Sequence, residues 1–313
     1  MIQLLGGMLG KVGMAMHIAA SWIVENLIEY PEELVFEVKG IFDAVIDWLI
    51  ANLGGLFDAI AYVIRNIFLI SKDVLLFIPW WLYVIGLFFL GWKLYHWKMG
   101  VLLAAMLFAI GMFGLWTEMI YTLTVVVISV IVSILIAIPM GIWMAKSKGL
   151  EVTLKPILDM MQTLPSFVYL LPAIMLFEPG SVPAVFATTI YAVPPLIRLT
   201  FLGISNVDTE VIEAGKAFGS TPWQMLRKVE LPQALSTIMT GVNQTTMMAM
   251  AMVVIASMIG AQGIGYKVLF AIQNLQVGAG FQAGFAIVFL AIILDRILQG
   301  LTATTEEEGI ANA

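Results

Sequence analysis

No cysteine occurs among the 313 residues, which excludes a disulfide framework, thiol catalysis and Cys-ligated zinc or iron–sulfur centres. Histidine is almost as scarce. His17 and His96 are the only two, whereas most histidine-based metal sites draw on three or more convergent ligands, so no metal site is expected. Charge is sparse too, at 12% of residues against roughly 25% in soluble domains. Its balance, 15 Lys and Arg against 21 Asp and Glu, excludes the basic surface of a nucleic-acid binder. A phosphate-binding loop is also missing. The nearest run, Met140 to Ser147, lacks both required glycines, so its Lys146-Ser147 reads as a membrane-interface anchor. No nucleophile–base constellation is visible, so no catalytic residue and no bound cofactor are expected of this chain. What is abundant is apolar: 61% of the residues are hydrophobic. The composition is that of an all-α polytopic membrane protein.

A helix needs about 20 mainly apolar residues to cross about 30 Å of hydrocarbon. Seven stretches qualify, near 76–92, 101–116, 120–145, 164–177, 182–204, 238–259 and 281–298. The third, fourth and fifth carry Pro139, Pro165 with Pro172, and Pro194 with Pro195. Proline removes a backbone hydrogen bond, which a membrane tolerates where neighbouring helices or a wet cavity satisfy the freed carbonyl. These three stretches are expected to be inner helices around a pathway, the plainer alternative being irregular packed helices.

Basic residues set the orientation. Alternate connections hold Lys93 and Lys98, then Lys146, Lys148 and Lys155, then Lys216, Arg227 and Lys228, while the others hold Glu118, Glu178 and the single Lys267. The first set is assigned to the cytoplasm. The tail 301–313, with Glu306 to Glu308, then lies inside and the N-terminus outside. Residues 1–75 are acidic, carrying Glu25, Glu29, Glu32, Glu33, Glu37, Asp43, Asp47, Asp58 and Asp73 against Lys11, Lys39, Arg65 and Lys72. They have no basic start with an apolar core and cleavage site, so they do not read as a signal peptide. Charges at 43, 47, 58 and 65 interrupt the apolar run 41–70, which suggests an amphipathic scaffold on the outer surface; an eighth span is the rival. The remainder divides into two peripheral helices at 76–116, a core at 117–300 and the acidic tail.

The connection 205–232 is well punctuated. Asp208 can cap a helix running to Phe218, Gly219 suits the left-handed stop, and Thr221-Pro222-Trp223-Gln224 reads as a capping box with proline in the first turn. A helix–glycine–helix knuckle closed by Pro232 results. Its mixed surface of Glu213, Lys216, Phe218, Trp223 and Arg227 suits docking of a soluble partner, although a charged loop is often only solvated.

The run Glu213-Ala214-Gly215, three residues, Gly219, nine residues, Val229, one residue, Leu231-Pro232 resembles the EAA signature of permease subunits in binding-protein-dependent ABC importers. The spacing agrees throughout; Gly215 and Val229 replace an alanine and an isoleucine. The runs 139–147, 156–177, 191–204 and 241–265 are similar to the glycine betaine/proline betaine subgroup. This resemblance implies a type-I (MetI-like) importer core. It also implies that Glu213, Ala214, Gly215, Phe218, Gly219, Val229, Leu231 and Pro232 form the element coupling to an ATPase dimer. ATP and magnesium would be held by that partner, an extracytoplasmic substrate-binding protein would deliver the osmolyte, and a second copy would complete a homodimer in a bacterial or archaeal plasma membrane.

In the sixth stretch Thr240, Asn243 and Met247 share a face, with Gln244 and Thr245 beside them. They are candidates to line a pathway, or else bond to neighbouring helices. A quaternary ammonium favours aromatic faces, which by depth makes Trp143, Phe167, Tyr169 and Tyr191 candidates. Gly260, Gly263 and Gly265 follow no strand and read as a turn or short re-entrant segment. An ion-coupled secondary carrier and an importer of another quaternary amine, choline or carnitine, are the rival functions. The first would want buried ionisable residues, and the deep parts of the spans contain almost none.

Overall fold

The computed structural model describes residues 39–311, with side chains to Thr302, together with Met14 and Met16. The chain divides by contact into 1–51 and 52–313. Of the first unit only the start of one helix is described in continuous stretch, so the expectation for residues 1–38 lies outside the described residues.

Every described element is helical. The order is α1 (Lys39–Phe77), α2 (Trp80–Leu94), α3 (Trp97–Met112), α4 (Trp116–Lys146), α5 (Lys148–Thr163), a 3₁₀ turn (Ser166–Tyr169), α6 (Leu170–Leu176), α7 (Ser181–Ser205), α8 (Thr209–Ala217), α9 (Pro222–Met225), a π turn (Leu226–Glu230), α10 (Leu231–Ala256), a second 3₁₀ turn (Ser257–Ile259), α11 (Ile264–Gln273) and α12 (Val277–Ala311). Against the seven expected stretches, five helices are long and apolar enough to cross a membrane: α1, α4, α7, the run from α9 through α10, and α12. The sixth is broken. Where a span was expected at 164–177, α5 and the 166–176 segment meet at 109°, because Leu164 and Pro165 hold extended backbone angles between them. Prolines inside α4 and α7 do not break those helices, and Pro194 and Pro195 are buried among neighbours.

The first two expected stretches form instead a hairpin of two shorter helices, 15 and 16 residues long. At 1.5 Å per residue each covers about 23 Å, less than the hydrocarbon thickness. Glycine lets them touch: a methyl group on Gly100 would fall 2.4 Å from the Phe88 carbonyl oxygen.

The core lies where α4, α7 and α10 cross. Apolar burial gives little drive between helices in lipid, so close backbone approach supplies the attraction. Gly141 of α4 sits under Thr200 and Ile197 of α7, where an added methyl would meet atoms at 2.6 and 2.8 Å; Gly241 of α10 sits against Leu196 and Leu199. Thr245 Oγ1 donates to the Ala192 carbonyl at 2.9 Å, and Ser129 Oγ to that of Val185 at 3.3 Å.

Two ends of this bundle can be told apart: the knuckle end, where 205–232 projects, and the far end. From Phe57 to Leu75, α1 meets the bundle at its far end. Phe57 packs edge-on to Phe177 at 6.0 Å, Arg65 pairs with Glu178 at 3.6 Å, and buried Phe68 rests on Val125, Ile128 and Val185. Lys72 Nζ stands 5.7 Å from the Tyr121 ring, and the Leu75 carbonyl accepts from Tyr83 Oη at 2.7 Å. The far-end glycines make the expected turn: Gly260 (φ +89°) and Gly263 (φ +136°) lead into α11, whose first amide, Ile264 N, donates to Thr122 Oγ1 at 2.9 Å.

Candidate functional site

The knuckle is assembled by local chemistry. Asp208 accepts from the Glu210 amide at 2.8 Å and so starts α8. Gly219 stops it with φ +75°, a left-handed turn costly for a residue with a Cβ. Thr221 and Gln224 then form the full capping box: the Gln224 amide donates to Thr221 Oγ1 at 3.3 Å, and the Thr221 amide to Gln224 Oε1 at 2.8 Å. Beneath them Met225 is buried and its methyl lies against Gly215, where a Cβ would come within 2.6 Å. This contact accounts for glycine at the third position of the signature.

One expectation is corrected here. The second helix of the knuckle does not end at Pro232. It passes through the π turn Leu226–Glu230 directly into α10, with proline in the first turn of that helix. Proline has no amide to donate, and a first turn needs none.

The face presented to solvent is apolar at its tips. Phe218 is 91% exposed and Trp223 67%, with Glu213, Ala214, Lys216 and Gly219 exposed around them and Val229 and Leu231 half-buried. Two open aromatics on a capped, rigid projection form a surface that a partner can cover at little cost in ordering.

Behind this face sits a residue that no motif singled out. Glu230 has a side chain 4% exposed, and both carboxylate oxygens accept from Lys146 Nζ at 2.6 Å. Lys146, expected above as a membrane-interface anchor, closes α4 and is an ion-pair partner of Glu230. A second pair, Arg198 of α7 with Asp159 of α5, stands nearby in the fold.

The expected pathway residues separate into two groups. Thr240 and Gln244 are exposed and Met247 half-buried; with Ala251 they form one open stripe along α10, which Met258 extends into the 3₁₀ turn Ser257–Ile259 that follows. Asn243 turns away from that stripe: its Nδ2 donates to Asp295 of α12 at 2.9 Å, and Gln299 donates to the same oxygen at 2.7 Å. Thr245 of α10 is fully buried against α7. Tyr169 and Tyr191, 22 positions apart in sequence, meet edge to face with ring centres 5.8 Å apart, and Tyr169 Oη donates to the Met161 carbonyl. Trp143 and Phe167 are exposed and belong to neither group.

Residues 137–305 match a family described as the binding-protein-dependent transport system inner membrane component. The chain belongs to that family. It is a permease subunit, and the matched region contains the knuckle, both ion pairs and the α10 stripe. The permease is 45% identical over 270 residues to the glycine betaine/carnitine transport permease protein GbuB of Listeria monocytogenes, covering 85% of this chain and 95% of that one. It is 44% identical to the glycine betaine transport system permease protein OpuAB of Bacillus subtilis, over 87% of this chain and 96% of the relative. With the glycine betaine/proline betaine permease ProW of Escherichia coli it shares 43% identity over 84% of this chain and 75% of that one. Among solved structures, an inward-facing conformation of the MetNI methionine ABC transporter is similar, with a TM-score of 0.51 and 22% identity, covering 62% of this chain and 93% of that one. That likeness identifies the fold as the MetI-like permease fold.

Proposed function

We propose that this permease imports glycine betaine and related quaternary amines, and that ATP hydrolysis on a separate pair of ATPase subunits drives it through the 205–232 knuckle. The observation that carries the reading is the projecting, doubly capped knuckle with Phe218 and Trp223 exposed at its tip. Its spacing agrees with the coupling signature throughout, with Gly215 and Val229 as the two departures. The relatives named above support the substrate class. In this reading the knuckle end is cytoplasmic, and nucleotide with its magnesium stays on the ATPase. A binding protein delivers substrate at the far end, and α1 forms a scaffold along that face, as its contacts with Phe177, Glu178 and Tyr121 favour.

The open stripe Thr240–Gln244–Met247 faces the pathway beside a second copy of the permease. Thr240 Oγ1 is satisfied by the Ser236 carbonyl at 3.0 Å, but an exposed amide such as that of Gln244 on a membrane helix needs water or a partner, since lipid offers neither. The Tyr169–Tyr191 pair supplies π faces for a quaternary ammonium near that route. Transport follows by alternating access. Closure of the ATPase pair draws the two knuckles together, and the free energy transmitted is the difference between the contacts made in the two states.

Purification of the tagged permease from its own membranes, followed by reconstitution, tests this. An ATPase subunit is expected to co-elute, and vesicles containing the complex and a betaine-binding protein are expected to take up labelled glycine betaine only with ATP inside. Uptake by the permease alone would overturn the reading. Competition by proline betaine, carnitine and choline then orders the substrates.

A further inference from the structure

We propose that the Lys146–Glu230 ion pair is the strut through which movement of the knuckle reaches α4, making both side chains positioning residues for coupling. The inference rests on the importer reading above. Among the described residues Glu230 is the one charged side chain that is buried, and it is held by Lys146 at 2.6 Å from each oxygen. Burying the Glu230 carboxylate costs several kcal/mol in desolvation, which its pairing with the half-exposed Lys146 ammonium offsets, and a well-packed apolar residue in its place often gives equal stability. Such a pair fixes position more than it adds stability.

Its location says which positions are fixed. Glu230 is the last residue of the π turn, at the junction between the knuckle and α10. A π turn carries an extra residue in the helical ladder, and such places bend. Displacement of Gly215, Phe218 and their neighbours would therefore dissipate at 226–230 if α10 were the only connection. The ion pair crosses that soft segment. It ties its C-terminal residue to the last residue of α4, 84 positions earlier, next to Ser147, which caps the start of α5. From α5 the Asp159–Arg198 pair continues to α7. A push on the knuckle is thus delivered to the α4–α5 corner and the helices of the core together, and the far end can open only as a unit.

The test compares glycine betaine taken up per ATP hydrolysed in vesicles containing the permease, its co-purifying ATPase and binding protein. Glu230→Gln is expected to leave ATPase capture intact and to lower the ratio about ten-fold, within the usual span of coupling between sites. Lys146→Glu combined with Glu230→Lys is expected to restore most of it. A wild-type ratio in Glu230→Gln overturns the proposal, as does a reversed pair no better than either single change. If Glu230→Gln does not assemble, Lys146→Gln with Glu230→Gln removes both charges and is measured instead; a low ratio supports the strut and a wild-type ratio overturns it. Failure of the wild-type complex to take up betaine would count against the importer reading, a result separate from any change among variants.

Discussion

The core helix α7 and the knuckle helix α8 follow one another in the chain and are built on opposite rules. Of 25 residues in α7, 16 are buried, and glycines and alanines admit its neighbours to near backbone contact. In α8 none of the nine residues is buried, and its shape comes from caps at both ends. The first helix is held by what surrounds it; the second holds itself and leaves its surface free. Damage to the first should therefore appear as lost protein, and damage to the second as intact protein that no longer couples.

The largest effect is expected where α4 presses on α7. Gly141→Leu places a branched side chain into Thr200 and the Ile197 carbonyl; overpacking of this kind costs about 1–3 kcal/mol or more. Size-exclusion profiles of detergent-solubilised protein should show aggregation. A monodisperse profile would mean that α4 and α7 are not pressed together as described. Next is Phe218→Ala, which removes a ring that touches almost nothing in this chain. Folding should be unchanged, while affinity for the ATPase subunit falls about 30-fold if the ring is an interface hot spot worth about 2 kcal/mol. Surface plasmon resonance or microscale thermophoresis reads this directly. Smaller again is Thr221→Ala, which breaks the capping box at a cost of about 1 kcal/mol. Amide exchange should quicken over 221–226 and nowhere in α7. The smallest is Gly215→Ala, whose methyl meets only the mobile end of Met225. A slight fall in ATPase stimulation is expected, relieved by Met225→Ala.

The same contrast explains what could be read without the structure. The knuckle was legible residue by residue, because a cap joins groups two or three positions apart: Asp208 to Glu210, Thr221 to Gln224. The long spans at 120–145, 182–204, 238–259 and 281–298 were legible because their apolar runs carry no charge in the first and third, and only Arg198, Asp295 and Arg296 towards the ends of the other two. Everything that joins distant segments was hidden. Lys146 and Glu230 are 84 positions apart, and Asn243 and Asp295 are 52 apart. In the sequence Lys146 looked like a boundary charge and Asn243 like a polar residue facing a pathway, and nothing marked their partners Glu230 and Asp295. The 109° break was hidden differently: Pro165 marked a site where a helix can end, but the next direction depends on the wall formed by α7. Helix α1 was hidden by its own charges. Asp58 and Arg65 suggested an interfacial segment, yet the helix is by length and composition also apolar enough to span, and its contacts at the far end of the bundle could not be read from its own sequence.

The most direct test of the account uses the absence of cysteine. In a Phe218→Cys variant the only thiol in the chain stands at the tip of the knuckle. In inside-out membrane vesicles a membrane-impermeant maleimide should label this thiol when the ATPase has been stripped, and much less once the purified ATPase is added back. Equal labelling with and without the ATPase, or labelling from the opposite side of the membrane, would contradict the claim that this knuckle is the cytoplasmic docking element.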